Sequence, residues 1–93
     1  MDELDLFNRL ARHVRPAFID YTPIDTMDIP FPETGLDSMD GLMMIIHLED
    51  IYGIDDEIAK HFTFTTPAEL MVLVHQHKTK EPESVDAAME LAK

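Results

Sequence analysis

Ser38 stands in the string Gly35-Leu36-Asp37-Ser38-Met39-Asp40, where a proline-rich stretch gives way to a proline-free apolar run. A serine at such a junction holds its hydroxyl in solvent, beside backbone N–H groups that have no partner within the helix. Those groups and the helix dipole favour an anion attached there. The same placement has a plain structural use, because serine is a preferred N-cap. Asp37 can cap equally well, and Gly41, three residues after Ser38, cannot complete a capping box with it. Two roles stay open for Ser38 at this point: a helix cap, or the attachment point of an anionic group.

Other chemistry finds less support. A nucleophilic serine needs a base and an oxyanion hole, and neither a Gly-x-Ser-x-Gly elbow nor a Ser-x-x-Lys pair occurs. His47 lies nine residues along the same helix, two and a half turns away and out of reach. The chain is therefore expected not to be an enzyme by itself. His75 and His77, two apart on a helix, cannot face one ion, and His13, His47 and His61 fall on separate elements. Asp55-Asp56-Glu57 lacks the alternating oxygen ligands and central glycine of an EF-hand. No metal site is expected.

The composition narrows the class further. With 93 residues the chain has room for one small domain. Seven basic residues stand against 19 acidic ones, a net charge of −12, which repels phosphate backbones and anionic lipid heads. Apolar residues make up 45%, enough for a core. There is no cysteine, so any thiol chemistry must arrive on a cofactor. Acids follow Met1 where a signal peptide wants basic residues, and no apolar run approaches the roughly 18 residues of a membrane span. The expectation is a cytoplasmic monomer that binds neither nucleic acid nor membrane.

The elements that must position Ser38 read as helices. From Asp2 to Arg15 the residues Leu4, Phe7, Leu10, Ala11 and Val14 form one stripe, ended by Pro16. Residues 16 to 36 read as a long connection, pinned by Phe18, Ile19, Tyr21, Ile24, Ile29 and Phe31. Ser38 to Tyr52 is the strongest helix, stopped by Gly53. Met44, Ile45, Leu48 and Tyr52 make its core stripe, and Met39, Leu42, Met43 and Ile46 a second stripe beside Asp40, Glu49 and Asp50. Asp55 or Asp56 caps a short helix through Phe62. Thr66-Pro67-Ala68-Glu69 opens another, with Leu70, Leu73, Val74 and His77 inward. Residues 1–80 form the domain, and 81–93 are an extension, either a short helix or a frayed tail.

The segment GLDSMDGLMMIIHLEDIYGI, residues 35 to 54, resembles the acyl carrier proteins, whose Asp-Ser-Leu motif opens the second helix of a four-helix bundle. Asp37 matches the family's flanking acid, Glu49 and Asp50 its late acidic pair, and Tyr52-Gly53-Ile54 its aromatic-Gly-Ile ending. A looser similarity runs from residue 2 to about 78. The resemblance implies an all-α fold, with a long loop between the first two helices and room for an extra C-terminal helix. It implies 4′-phosphopantetheine on Ser38, attached as a phosphodiester by a phosphopantetheinyl transferase, with acyl groups carried as thioesters on the arm's thiol. It further implies visits to acyl-loading ligases or transferases and to ketosynthase-type enzymes with basic docking patches, met by Leu36, Asp37, Met39, Asp40, Leu42, Met43, Ile46, Glu49 and Asp50.

Departures refine this expectation. Met39 and Met43 stand where family members of bulk fatty-acid synthesis usually carry leucine and glutamate, so the partner face is more apolar and suits specialised fatty-acid or polyketide-type partners. Methionine after Asp-Ser also occurs in D-alanyl carriers, which keeps aminoacyl cargo open. The alternative of another class is a small acidic helical interaction module without a prosthetic group, in which Ser38 is only a cap.

Overall fold

The computed structural model describes residues 2–15 and 18–92, and among them every regular element is helical. Helix α1 spans Glu3–Val14, α2 Ser38–Tyr52, α3 Asp56–Ala59, α4 Pro67–His77 and α5 Val85–Leu91. No helix of the described residues is long and apolar enough to cross a membrane. Pro16, which the sequence marks as the end of the first helix, lies outside the described residues. Arg15 just before it is extended (ψ 145°), as a residue preceding proline should be.

Helix α1 is capped by Asp2, whose carboxylate accepts from the Asp5 N–H at 3.1 Å. Its buried face is Leu6, Phe7, Leu10 and Ala11. Leu4, expected inside, is only half-buried and Leu6 takes its place. In α4 the expected Thr66 cap is present, with the Glu69 N–H donating to Thr66 Oγ1 at 3.2 Å, while the Glu69 carboxylate reaches back to the Thr65 N–H. Met71 joins Leu70 and Val74 in the core. Leu73 is half-buried and His77 exposed, contrary to the spacing. The short α3 ends at Ala59, three residues before the expected Phe62, because Lys60 and His61 turn the chain.

The connection between α1 and α2 is more ordered than its prolines predict. Phe31–Thr34 form a turn of 3₁₀ helix. Asn8 of α1 fastens the middle of the loop: its Oδ1 accepts from the Tyr21 hydroxyl at 2.7 Å and the Ile24 N–H at 3.0 Å, and its Nδ2 donates to the Ile24 carbonyl. Tyr21 is buried, and Ile24, Met27 and Phe31 pack on the core. Phe18 and Ile19, expected to pin the loop, are exposed instead.

Helix α5 packs on α1 and the end of α2. Ala88 and Ala92 are buried and Arg9 pairs with Asp86 at 2.6 Å. Its approach is set at Gly53, which ends α2 in the left-handed region (φ +63°) while the Ile54 N–H donates to the Glu49 carbonyl. The Tyr52 carbonyl then accepts from Thr79 and Lys80, and the Thr79 hydroxyl donates to the Gly53 carbonyl at 2.6 Å.

Candidate functional site

The corner that carries Ser38 is built by its neighbours. Asp37 is the N-cap of α2. Its Oδ1 accepts from the Asp40 N–H at 2.8 Å, and Asp40 Oδ2 accepts from the Asp37 N–H at 3.2 Å, a complete capping box. Arg15, at the end of α1, crosses to the same corner and donates from Nη1 to the Gly35 carbonyl at 2.5 Å and to Asp40 Oδ2 at 3.3 Å. The pair is largely out of water, with side chains 17% and 12% exposed. Ser38 itself is exposed and makes no bond that the corner needs.

Beyond Ser38 a cleft of about 630 Å³ opens along α2. The helix contributes Ser38, Gly41, Leu42, Ile45, Ile46 and Glu49, one lining residue after another at helical spacing. The 3₁₀ turn closes one side with Phe31 and Pro32, and α3 with the segment after it closes the other through Ala59, Phe62 and Phe64. This volume lies in the range of small-molecule sites, which are mostly apolar with few polar groups. At the end away from Ser38, burial and the neighbouring Asp56, Asp50 and Asp55 push the Glu49 carboxyl above the usual carboxylate range.

The expected partner face is only partly on the surface. Met39 (63% exposed), Leu42 (52%), Met43 and Ile46 present an apolar stripe that the core does not use. Asp37 and Asp50 are exposed and Glu49 is half-buried. Leu36 and Asp40 do not belong to it: Leu36 is buried beneath the corner, and Asp40 is turned inward by Arg15 and the capping box. Ile45, assigned to the core from its spacing, is half-buried, packing against the core and lining the cleft as well.

The sequence reading missed Arg15 as the clamp of the corner and Phe62 and Phe64 as cleft walls. The partners of Arg15 lie 20 and 25 residues away and the α2 lining lies 13 or more residues before Phe62, and no local pattern announces them. Among the described residues no group of three or more His, Asp or Glu is placed to hold a metal ion. No protein-family model, curated protein or solved structure matches the chain.

Proposed function

We propose that this protein is an acyl carrier, with Ser38 bearing 4′-phosphopantetheine as a phosphodiester. The carrying observation is the division of labour at the corner: Asp37 caps α2, and Ser38 stands exposed at the mouth of an apolar cleft. The residues present suit the group. A phosphodiester on Ser38 Oγ would lie against the first turn of α2, whose dipole favours negative charge. The nearest carboxylates are engaged, Asp37 by a backbone N–H and Asp40 by Arg15. When bound, the arm supplies the thiol that the chain lacks, and the chemistry on its thioester belongs to the partner enzymes.

The chain's own part is to hold, shelter and present. The cleft beside Ser38 offers an apolar cargo a place out of water, worth roughly 0.8 kcal/mol per methylene buried. The stripe Met39, Leu42, Met43 and Ile46, flanked by Asp37 and Asp50, suits partners that combine an apolar depression with basic residues. The rival reading, an interaction module whose second apolar stripe binds a protein helix or a second copy, keeps that exposed stripe, but its use for Ser38 as the cap is not needed, because the cap is Asp37.

Intact-protein mass spectrometry tests the assignment. Co-expression with a broad-specificity phosphopantetheinyl transferase is expected to add one phosphopantetheine mass to the wild type and none to Ser38→Ala. The variant keeps its helicity and its stability within about 0.5 kcal/mol, as for a surface change that touches no cap. Wild-type protein left unmodified by several such transferases overturns the proposal. Isolation from the native host reads the cargo, acyl or aminoacyl, from the same spectrum.

A further inference from the structure

The histidines differ in what their ring nitrogens do. In His75 both are engaged, Nε2 with Glu3 and Nδ1 with Lys78. The rings of His13 and His47 have no hydrogen-bond or ion-pair partner among the described residues. The two stand on different helices, which in the sequence argues against a shared ion, yet the packing of α1 on α2 brings their rings to 5.1 Å between centroids, inclined at 69°. His13 is exposed and His47 half-buried, so the pair is open to an ion arriving from solvent.

The separation is the one that a shared metal ion requires. An ion about 2.0–2.1 Å from an imidazole nitrogen lies about 3.2 Å from the ring centre, so two rings on one ion have centres roughly 4.5 Å apart at a right angle and about 5.2 Å apart at the tetrahedral angle. The observed 5.1 Å falls within that range. The nitrogens are turned toward a common point by the second side-chain torsion of His13, which is soft and is not held by burial. Imidazole suits Zn²⁺, Ni²⁺ and Cu²⁺, whereas Mg²⁺ and Ca²⁺ take oxygen ligands. Water fills the other positions, since among the described residues no third His, Asp or Glu stands in place as a ligand. Asp50, one turn after His47, is exposed, its side chain has no hydrogen bond or ion pair among the described residues, and its charge is felt at the His47 ring. A cation at the pair therefore answers a carboxylate that the chain leaves without a partner.

We propose that His13 and His47 bind one divalent transition-metal ion of the Zn²⁺ class and that the ion ties α1 to α2. Neither residue lines the cleft, so the site stands apart from the carrier reading. Its ligands come from two helices that only the folded chain brings together, so the ion binds the folded state and stabilises it by mass action. His47 also follows Ile46 and lies one turn after Met43, so a bound ion sets positive charge beside the exposed apolar stripe of α2.

Titration of the metal-free, unmodified protein with Zn²⁺ at neutral pH, followed by the imidazole ring signals in NMR and by thermal melts, tests the site. The His13 and His47 signals are expected to move together and to saturate at one ion per chain, while those of His61 and His77 stay. His13→Gln and His47→Gln should each weaken this binding by more than the roughly 10–100-fold that loss of an outer-shell partner costs, and His61→Gln should leave it unchanged. His13 is exposed, so its variant keeps the fold and serves if the His47 variant is damaged. The gain in Tm with Zn²⁺ should be larger in the wild type than in His13→Gln, whereas the gain with Ca²⁺, which the acidic surface attracts, should be the same in both. Zn²⁺ that shifts neither ring at millimolar concentration, or that raises Tm of wild type and His13→Gln equally, overturns the inference.

Discussion

Three side chains of the corner where α2 begins carry three different duties, and substitutions should separate them. Asp37 closes the capping box, so Asp37→Ala is expected to cost about 1 kcal/mol of stability. Ser38→Ala should cost almost nothing, while it abolishes modification. Arg15 is the hidden member of the corner. Its removal in Arg15→Met leaves the Asp40 carboxylate, only 12% exposed, without its cation and takes the donor from the Gly35 carbonyl. Breaking one side of a buried pair costs 3–5 kcal/mol, and the residual exposure here places the loss at about 3. Urea denaturation of the three variants should therefore rank them Arg15→Met, Asp37→Ala, Ser38→Ala in decreasing damage. A Ser38→Ala loss as large as that of Asp37→Ala would return Ser38 to a capping role. Tyr52 adds a fourth case: its hydroxyl is buried with no partner among the described residues, and burial, followed by Glu3 and Glu81, pushes its pKa up to about 12.

The helices that were legible in the sequence are those with strong local signals. Helix α4 announces itself through Thr66, Pro67 and Glu69, and α2 through its long apolar run and Gly53, because caps and breakers act within four residues. The register of the buried faces was harder. Leu6 and Met71 displaced Leu4 and His77, since which side turns inward is decided by neighbours distant in sequence. Helix α5 was ambiguous for a related reason: it has seven residues, and only Ala88 and the C-cap Ala92 are fully buried, with Val85 and Met89 packed beside them, so a short helix and a frayed tail look alike in sequence. The cleft was not legible at all, because its walls come from three separate stretches of chain. The junction at Gly53 tests how α5 is held. Gly53→Ala places a Cβ 2.3 Å from Thr79 Oγ1, on top of a left-handed backbone that costs about 1–2 kcal/mol for a non-glycine residue. The single variant should lose more than 2 kcal/mol and expose the α5 amides to hydrogen exchange. Gly53→Ala with Thr79→Gly should recover part of that loss, and a double variant no better than the single would show that the contact is not what carries the cost.

For the whole molecule, with its charge of −12, two half-buried groups on α2 set opposing pH responses. His47 meets His13 of α1 edge-on, ring centroids 5.1 Å apart, and burial first, then His13, lowers its pKa below the ordinary 6.5 against the opposite pull of Asp50. The unfolded chain thus takes up this proton at a higher pH than the folded one. The stability associated with neutral His47 is fully present above pH 6.5 and is lost as pH falls through its folded pKa. Glu49 acts the other way. Burial and three neighbouring aspartates raise its pKa, so its contribution is present below pH 4.5 and is lost as pH rises through the folded value. Thermal melts from pH 8 to pH 4.5 should therefore show Tm falling below pH 6.5, with Glu49 protonation offsetting part of the fall at the acid end. His47→Gln is expected to flatten the upper part of the profile. Glu49→Gln, which removes a carboxylate facing Asp56, should melt higher than the wild type at pH 7 and lose the acid-side offset. Salt distinguishes these groups from the surface charge, because raising the ionic strength from 0.01 to 0.15 M shrinks the screening length from about 30 to about 8 Å and relieves exposed charges far more than buried ones. Salt should thus raise Tm of all three proteins and shrink the part of the Glu49→Gln difference that comes from the exposed Asp50, Asp55 and Asp56, while the part that comes from burial stays.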